Sequence, residues 1–210
     1  MAIAQIAQAQ GSGNTGTLTV SITVPAHSDG AIVINCAKDH TAISSITVNG
    51  IAATKVKFGG SGGECASGWL VMSTGAGTYD IVATFTPTPS LYLHASAYSG
   101  VKQTGQPHKD AANQVTGNLS LSVTTTTDNC WAVIGSKDQA NGVTAGAGTT
   151  LRGTYNISTL GDSNGPKTPA GVFTLVLNCP SGTHSGWMIA LEPAPAATAV
   201  YHRLAVLGVG

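Results

Sequence analysis

Short runs of alternating apolar and polar residues, separated by turn-forming residues, recur along most of the chain. In residues 17–24, T-L-T-V-S-I-T-V, every second residue is aliphatic and the others carry hydroxyls, and the run stops at Pro25. This alternation predicts a strand with one buried face. Similar runs predict strands at residues 31–37, 45–48, 54–58, 69–73, 79–86, 91–98, 119–125, 131–136, 149–155, 172–178 and 187–191. Short strands at this spacing, with turns such as Asn49-Gly50 between them, predict an all-β sandwich or jelly roll.

The strand pattern occurs twice in the chain. G-T-L-T-V-S-I-T at residues 16–23 resembles G-N-L-S-L-S-V-T at residues 117–124, and the apolar run that follows ends in Lys-Asp in both copies. Half a sandwich cannot bury its apolar face alone, and packing on its twin solves that problem. The repeat therefore predicts one two-sheet β-sandwich, jelly-roll or Ig-like, built from two similar half-units.

The predicted organisation is a single domain with an apolar arm at each end. Helical turns are expected only within these arms, at residues 3–10 and 196–204, because no other window has helical periodicity. The predicted segments are an N-terminal arm at residues 1–10, a β-sandwich domain at residues 11–193 with half-units at about residues 17–100 and 117–192, and a C-terminal arm at residues 194–210.

Composition excludes several classes of partner. Charged residues make up 9% of the chain and the formal net charge is zero. The protein is therefore predicted to have no strong positive electrostatic potential that would attract nucleic acid or anionic lipid. No apolar stretch approaches the roughly 18 residues of a membrane span. The first ten residues lack the basic and continuous apolar regions of a secretory signal, so we expect either a chain made in the cytosol or one whose signal has been removed. A surface of Thr, Ser, Asn, Gln and Gly suits packing against neighbouring proteins.

The cysteines and histidines show no metal-binding spacing. The four cysteines contain no C-x-x-C pair, and the six histidines contain no H-x-H, H-E-x-x-H or H-x-x-x-H. The sequence therefore predicts no metal site and no cofactor. Cys36 and Cys130 lie in apolar runs and are interpreted as small buried hydrophobes in preference to a disulfide, whereas Cys65 and Cys179 are better placed for oxidation. No bridge is predicted.

Few residues are available for catalysis. The chain has only two glutamates and seven aspartates, while a glycosidase needs two carboxylates that face one bond. Asp39 and Asp138 occupy similar places in the two half-units and could meet, but each follows a Lys after a strand, which is typical of a solvated turn. No G-x-S-x-G elbow is present. The chain is predicted not to be an enzyme and to contain no catalytic residue.

Aromatic residues provide one candidate ligand-binding surface. Tyr92, His94 and Tyr98 share one face of a predicted strand, opposite its leucines and alanines. Sugar-binding sandwiches present aromatic faces to pyranose rings, so these three residues are the candidate ligand-binding stripe on an exposed face. Trp131 and Trp187 lie in apolar strands and are predicted to fill the core.

Several segments carry a family resemblance. G-N-T-G-T-L-T-V at residues 13–20, T-V-N-G-I-A-A-T-K-V at 47–56, A-G-A-G-T-T-L-R at 145–152 and W-M-I-A-L-E-P at 187–193 resemble Gly/Thr-rich β-sandwich domains of tailed-phage virion proteins and related bacterial surface proteins. The resemblance covers about residues 11–193. It consists of strand patterns and turn residues, and it carries over no site residue.

The resemblance implies a virion structural protein made in the host cytoplasm, such as a surface-exposed capsid decoration, a head fibre or a tail-associated protein. Its implied partners are other capsid or tail proteins and further copies of itself. The alternative is a carbohydrate-binding module or receptor-binding adhesin, located outside the cell or on its surface, which would use the Tyr92, His94 and Tyr98 stripe to bind cell-surface glycan.

Overall fold

The computed structural model describes residues 2–38, 43–61, 64–73, 75–87, 90–138 and 142–196. All regular elements in these ranges are β-strands, so the predicted all-β class is confirmed, and no helix there has the length and hydrophobicity to traverse a bilayer. The strands are β1 (Ala4–Gly13), β2 (Thr17–Val24), β3 (Gly30–Ala37), β4 (Ile43–Val48), β5 (Ile51–Ala52), β6 (Thr54–Ser61), β7 (Glu64–Ser73), β8 (Gly77–Phe85), β9 (Leu91–Ser99), β10 (Lys109–Thr116), β11 (Leu119–Thr124), β12 (Trp131–Asp138), β13 (Thr144–Ala145), β14 (Thr150–Tyr155), β15 (Ser158–Asp162), β16 (Val172–Asn178) and β17 (Thr183–Leu191).

The strands form four antiparallel sheets, numbered here in the order in which they stack. Sheet 1 has the strand order β2-β8-β4-β5, sheet 2 has β1-β9-β3-β7-β6, sheet 3 has β10-β17-β12-β15-β14 and sheet 4 has β11-β16-β13. Sheets 1 and 2 come from the first half of the chain, and sheets 3 and 4 from the second. Sheets 2 and 3 have the same strand order relative to their own half of the chain. In each sheet the first strand of the half lies at one edge and pairs with the last strand, and the third, third-from-last and fourth-from-last strands follow in that order.

Three apolar cores separate the four sheets. One lies between sheets 1 and 2 and is formed by side chains of β2, β3, β4, β7, β8 and β9. Another lies between sheets 3 and 4 and comes mainly from β11, β12, β16 and β17. The central core joins sheets 2 and 3 and contains Val33 and Leu70 from sheet 2 and Trp187 and Ile189 from sheet 3. The described residues thus form a stack of four layers, where a single two-sheet sandwich was predicted.

A strand's place in the stack explains its pattern of burial. In β2, which belongs to an outer sheet, exposed hydroxyl residues alternate with buried aliphatic ones. In β3 and β12, at the centres of the two inner sheets, every residue is buried. Since a buried polar group needs a hydrogen-bond partner, the polar residues of the inner sheets must find partners within the protein.

The N-terminal segment differs from the predicted arm. Residues predicted to be an arm with a helical turn form β1, the edge strand of sheet 2, which pairs with β9 from Ala4 opposite Ser99 to Gly13 opposite Leu91. The helical prediction is wrong because β9 offers an open edge on which β1 satisfies its backbone groups. The helical turn predicted at residues 196–204, most of the C-terminal arm and Asp39 lie outside the described residues.

Candidate functional site

The predicted ligand-binding stripe lies inside the stack. Tyr92, His94 and Tyr98 do share one face of β9, but sheet 3 covers that face, so Tyr98 is 0% and His94 1% exposed and Tyr92 is half-buried. The prediction of an exposed stripe is therefore wrong. A strand that alternates polar and apolar residues has the same pattern whether its polar face meets water or meets polar partners on another sheet.

An asparagine and a tryptophan connect the two inner sheets. The amide nitrogen of Asn35 in β3 donates to the Ser136 and Thr159 carbonyl oxygens at 2.9 and 3.2 Å and to the Ser158 hydroxyl at 3.0 Å. Its amide oxygen accepts a 2.7 Å bond from the indole nitrogen of Trp187 in β17. Asn35 and Trp187 are both fully buried. This network fixes sheet 2 against sheet 3.

A second connection is made by the tyrosine of the predicted stripe. The Tyr98 hydroxyl donates to Asp162 Oδ2 at 3.0 Å. Arg152 holds the same carboxylate with two hydrogen bonds, from Nε at 2.7 Å and from Nη2 at 2.8 Å. Burial raises the pKa of Tyr98 well above its usual value, and the Asp162 carboxylate adds to this shift. Tyr98 therefore acts as a buried hydrogen-bond donor between the sheets.

A separate cluster brings together an aspartate, a cysteine and a histidine. Asp138 is the last residue of β12 and lies opposite His184 of β17, while Cys179 directly follows β16. Asp138 Oδ1 lies 3.3 Å from His184 Nδ1 and 3.9 Å from Cys179 Sγ. Asp138 and His184 are fully buried, and Cys179 is partly exposed. Three possible metal ligands thus converge within 4.8 Å of one another.

Further hydrogen bonds orient two members of the cluster. Asp138 Oδ2 accepts bonds from the hydroxyls of Ser136 and Thr159, both at 3.0 Å, which leaves Oδ1 for the cluster. His184 Nε2 lies 2.8 Å from the carbonyl oxygen of Pro180. A carbonyl oxygen only accepts hydrogen bonds, so Nε2 carries the ring proton, and Nδ1 is the atom that faces Asp138.

This arrangement is not that of a nucleophilic triad. In a triad the imidazole stands between the carboxylate and the nucleophile and uses one nitrogen for each. His184 instead uses Nδ1 toward Asp138 and Nε2 toward the Pro180 carbonyl. Burial raises the pKa of the Cys179 thiol to about 11, which keeps it protonated at neutral pH. Burial also raises the pKa of Asp138, although its hydroxyl partners and His184 oppose the shift.

Sequence reasoning missed this cluster for a specific reason. Lys137 and Asp138 were interpreted as a solvated turn, but they end the central strand of sheet 3 and are 7% and 0% exposed. The missed signal was the short C-P-S-G-T-H connection, which keeps Cys179 and His184 close together. The third member is distant in sequence, and only the pairing of β12 with β17 brings it to the histidine.

The cysteines form no disulfide among the described residues. Cys36 and Cys130 are 0% exposed, which confirms their interpretation as small buried side chains. Burial, with a smaller contribution from Glu192, raises the pKa of Cys130 to about 11, and burial also raises that of Cys36. These two thiols therefore serve packing.

A cleft of about 670 Å³ lies beside the start of the connection from β9 to β10. Its lining includes Lys102 and Glu192, whose Nζ and Oε2 atoms are 2.9 Å apart. The other oxygen of Glu192 accepts a 3.4 Å bond from the Thr127 hydroxyl. Both carboxylate oxygens are therefore engaged within the protein.

The comparisons with known proteins add no family to this description. A scan against protein-family models finds no match to the chain, and a search of curated proteins finds none similar to it.

Proposed function

We propose that the protein is a structural component of a virion, exposed on the capsid, on a fibre or on the tail, where it packs against other virion proteins and copies of itself. The observation that carries this proposal is the use of the buried polar groups. The Asn35 and Trp187 pair and the group formed by Tyr98, Asp162 and Arg152 join one sheet to the next inside the stack. Such bonds give rigidity, which a particle component requires.

The outward faces of the stack support the same proposal. On sheet 1 the Ser21 hydroxyl donates to Asp80 at 2.6 Å, and on sheet 4 the Ser122 and Thr174 hydroxyls are 2.7 Å apart. These side chains pair across neighbouring strands, which holds both outer faces in a regular form. A hydroxyl-rich face with few charges can be covered by a neighbouring protein with little of the desolvation penalty that charges impose.

We also infer that the chain is a tandem of two related units, each a two-sheet sandwich. The matching connectivity of sheets 2 and 3 supports this inference. So does the position of the repeated sequences at residues 16–23 and 117–124, which cover nearly all of β2 in sheet 1 and all of β11 in sheet 4. In this arrangement the two units bury their inner faces against each other, and the two outer faces remain for partners.

The glycan-binding alternative has lost the surface on which it depended. His94 and Tyr98 are buried between sheets 2 and 3. The half-buried Tyr92 packs edge to face against Tyr155 at 6.1 Å between ring centroids, and its hydroxyl accepts a 3.1 Å bond from Asn156. A pyranose ring would have to displace these contacts, so we do not propose sugar binding.

The test is to measure the protein in purified particles. Particles from the source of the chain are purified by density gradient, and labelled reference peptides give the number of copies relative to the major capsid protein. We expect a fixed ratio, and antibody labelling of intact particles that matches a known surface protein. An internal capsid protein is the control for particle integrity. Absence of the chain from washed particles would overturn the proposal.

Rebinding of recombinant protein to stripped particles can identify the contact face. Each outer sheet has a valine on its outward face. On sheet 1, Val82 of β8 is paired with the exposed Thr19, and on sheet 4, Val172 of β16 is paired with the exposed Thr124. Lysine at either position would add a charge within a contact made by that face and weaken it. We expect one of Val82→Lys and Val172→Lys to reduce rebinding at least tenfold. Unchanged rebinding of both would show that neither outer face is the contact.

A further inference from the structure

We propose that Asp138, Cys179 and His184 form a binding site for one divalent transition-metal ion, with zinc as the best match. The cluster combines a carboxylate oxygen, a thiol sulfur and an imidazole nitrogen. Thiolate and imidazole ligands select zinc and similar metals over magnesium and calcium, which prefer all-oxygen sites. The proposal is independent of the virion function proposed above.

The distances fit tetrahedral coordination. With bonds from zinc of about 2.1 Å to nitrogen and oxygen and about 2.3 Å to sulfur, tetrahedral angles place the ligand atoms about 3.4 Å apart for N and O and about 3.6 Å apart for S and O. The corresponding distances from Asp138 Oδ1 are 3.3 Å to His184 Nδ1 and 3.9 Å to Cys179 Sγ. A shift of the Cys179 side chain by a few tenths of an ångström brings Sγ to the tetrahedral distance from Oδ1, and all three ligand atoms already lie within 4.8 Å of one another.

The histidine is oriented as metal-ligating histidines usually are. Such a histidine donates one ring N–H to a carbonyl or carboxylate, which leaves the other nitrogen free to bind the metal. His184 Nε2 donates to the Pro180 carbonyl, and Nδ1 points to the cluster. Nδ1 and Asp138 Oδ1 then face each other 3.3 Å apart in a fully buried place, which is the spacing of two ligand atoms around one small cation.

The carboxylate is supported in the same way. Ser136 and Thr159 donate to Asp138 Oδ2, so the side chain is held with Oδ1 toward the histidine and the cysteine. Hydrogen bonds of this kind to a ligating carboxylate are a regular part of metal sites. The partly exposed Cys179 gives solvent and metal access to the cluster. The fourth coordination position is left for water.

Metal binding would release protons and tie three elements together. The Cys179 thiol gives its proton to solvent as the sulfur–metal bond forms, and so does any proton shared by Asp138 and His184. The ion would then connect the end of β12 and the start of β17 in sheet 3 with the residue that follows β16 in sheet 4. The expected role is to fasten this end of the stack.

The test is a titration of the full chain after treatment with chelator. Co²⁺ is the spectroscopic probe, because tetrahedral Co²⁺ absorbs in the visible and its bond to a thiolate gives a charge-transfer band in the near ultraviolet; calorimetry with Zn²⁺ gives the stoichiometry. We expect one ion per chain and both absorption features. Zn²⁺ at about 100 times its Kd should raise the melting temperature by about 5–11 °C.

Matched variants separate this site from accidental binding. Cys179→Ser should abolish the charge-transfer band, and His184→Gln should weaken Co²⁺ binding at least 100-fold. Cys130→Ser, which removes a buried thiol outside the cluster, should leave both unchanged. Circular dichroism of each variant establishes that it is folded. Because Cys179 is partly exposed, its serine variant is expected to fold even if His184→Gln does not.

Two results would overturn the proposal. One is the absence of Co²⁺ and Zn²⁺ binding by the folded wild-type chain at millimolar metal, which would mean that a proton alone joins Asp138 and His184. The other is a charge-transfer band that persists in folded Cys179→Ser, which would place the metal at a different thiol.

Discussion

The contact of Trp187 with two glycines makes Gly68→Ala an informative perturbation of the central core. A Cβ atom at Gly68 of β7 would lie 2.6–2.8 Å from three atoms of the Trp187 ring, well inside the roughly 3.5–4.0 Å of a normal carbon contact. The ring cannot simply retreat, because a Cβ placed on Gly135 would lie 2.5 Å from it on β12. Any shift also strains the 2.7 Å bond from the indole to Asn35.

The expected cost combines two effects. Overpacking of a dense core costs about 1–3 kcal/mol, and weakening a buried hydrogen bond adds about 1 kcal/mol. Gly68→Ala should therefore lower the free energy of unfolding by about 2–4 kcal/mol. For a chain of this size that corresponds to a fall in melting temperature of about 4–16 °C. Urea unfolding followed by circular dichroism measures the first quantity, and calorimetry measures the second.

A matched glycine provides the control. A Cβ at Gly165 meets no atom within 4 Å and its backbone is not in the left-handed region, so Gly165→Ala should leave stability unchanged or raise it by up to about 1 kcal/mol. In a Trp187→Leu background, which removes the six-membered ring, Gly68→Ala should cost much less. Equal stability of the two alanine variants, or an equal cost of Gly68→Ala in both backgrounds, would refute the reasoning.

Three further predictions concern the buried polar groups. Asp162→Asn removes the carboxylate that pairs with Arg152 and should lower the free energy of unfolding, measured in urea, by about 3–5 kcal/mol. Tyr98→Phe leaves that ion pair intact and should lower it by only about 1–2 kcal/mol. The reverse order of the two costs would contradict these roles of Asp162 and Tyr98. Burial lowers the pKa of His94 to about 4, so the unfolded chain binds a proton first as pH falls, and stability is lost from about pH 6.5 down to pH 4. Between pH 7 and pH 5 this loss should be about 2 kcal/mol, measured by urea unfolding, and His94→Gln should remove it; an equal loss in the variant would point to other groups.

The sequence predicted strands well where one face of the strand is exposed to solvent. The range predicted for β2, residues 17–24, coincides with the strand, since alternation with hydroxyls has few other interpretations. It also predicted β9 from residue 91, but not that sheet 3 covers the polar face of this strand. Whether such a tyrosine meets water or a protein partner depends on distant residues, as with Tyr98 and Asp162, which are 64 positions apart in the sequence. A local pattern contains no information about such contacts.

The candidate metal site was beyond sequence reasoning for a similar reason. Asp138 and His184 meet because β12 and β17 pair in register, and a register set by two whole strands is not visible in any short motif. The Lys-Asp dipeptide alone is typical of a turn. Asp138 is buried because it lies at the end of a strand that is covered on both faces. There the hydroxyls of Ser136 and Thr159 donate hydrogen bonds to its carboxylate.

The burial of Trp187 against Asn35 has a practical consequence for following how the stack comes apart. Trp69 lies in the core between sheets 1 and 2 and donates its indole N–H to Ser67, while Trp131 and Trp187 lie in the central core. The fluorescence of Trp69 therefore reports on the core between sheets 1 and 2, and that of Trp187 on the central core. At some urea concentration, the emission of a variant that retains only Trp187 could shift to the red while that of a variant that retains only Trp69 stays unchanged. That result would show that sheets 2 and 3 separate before sheets 1 and 2 do.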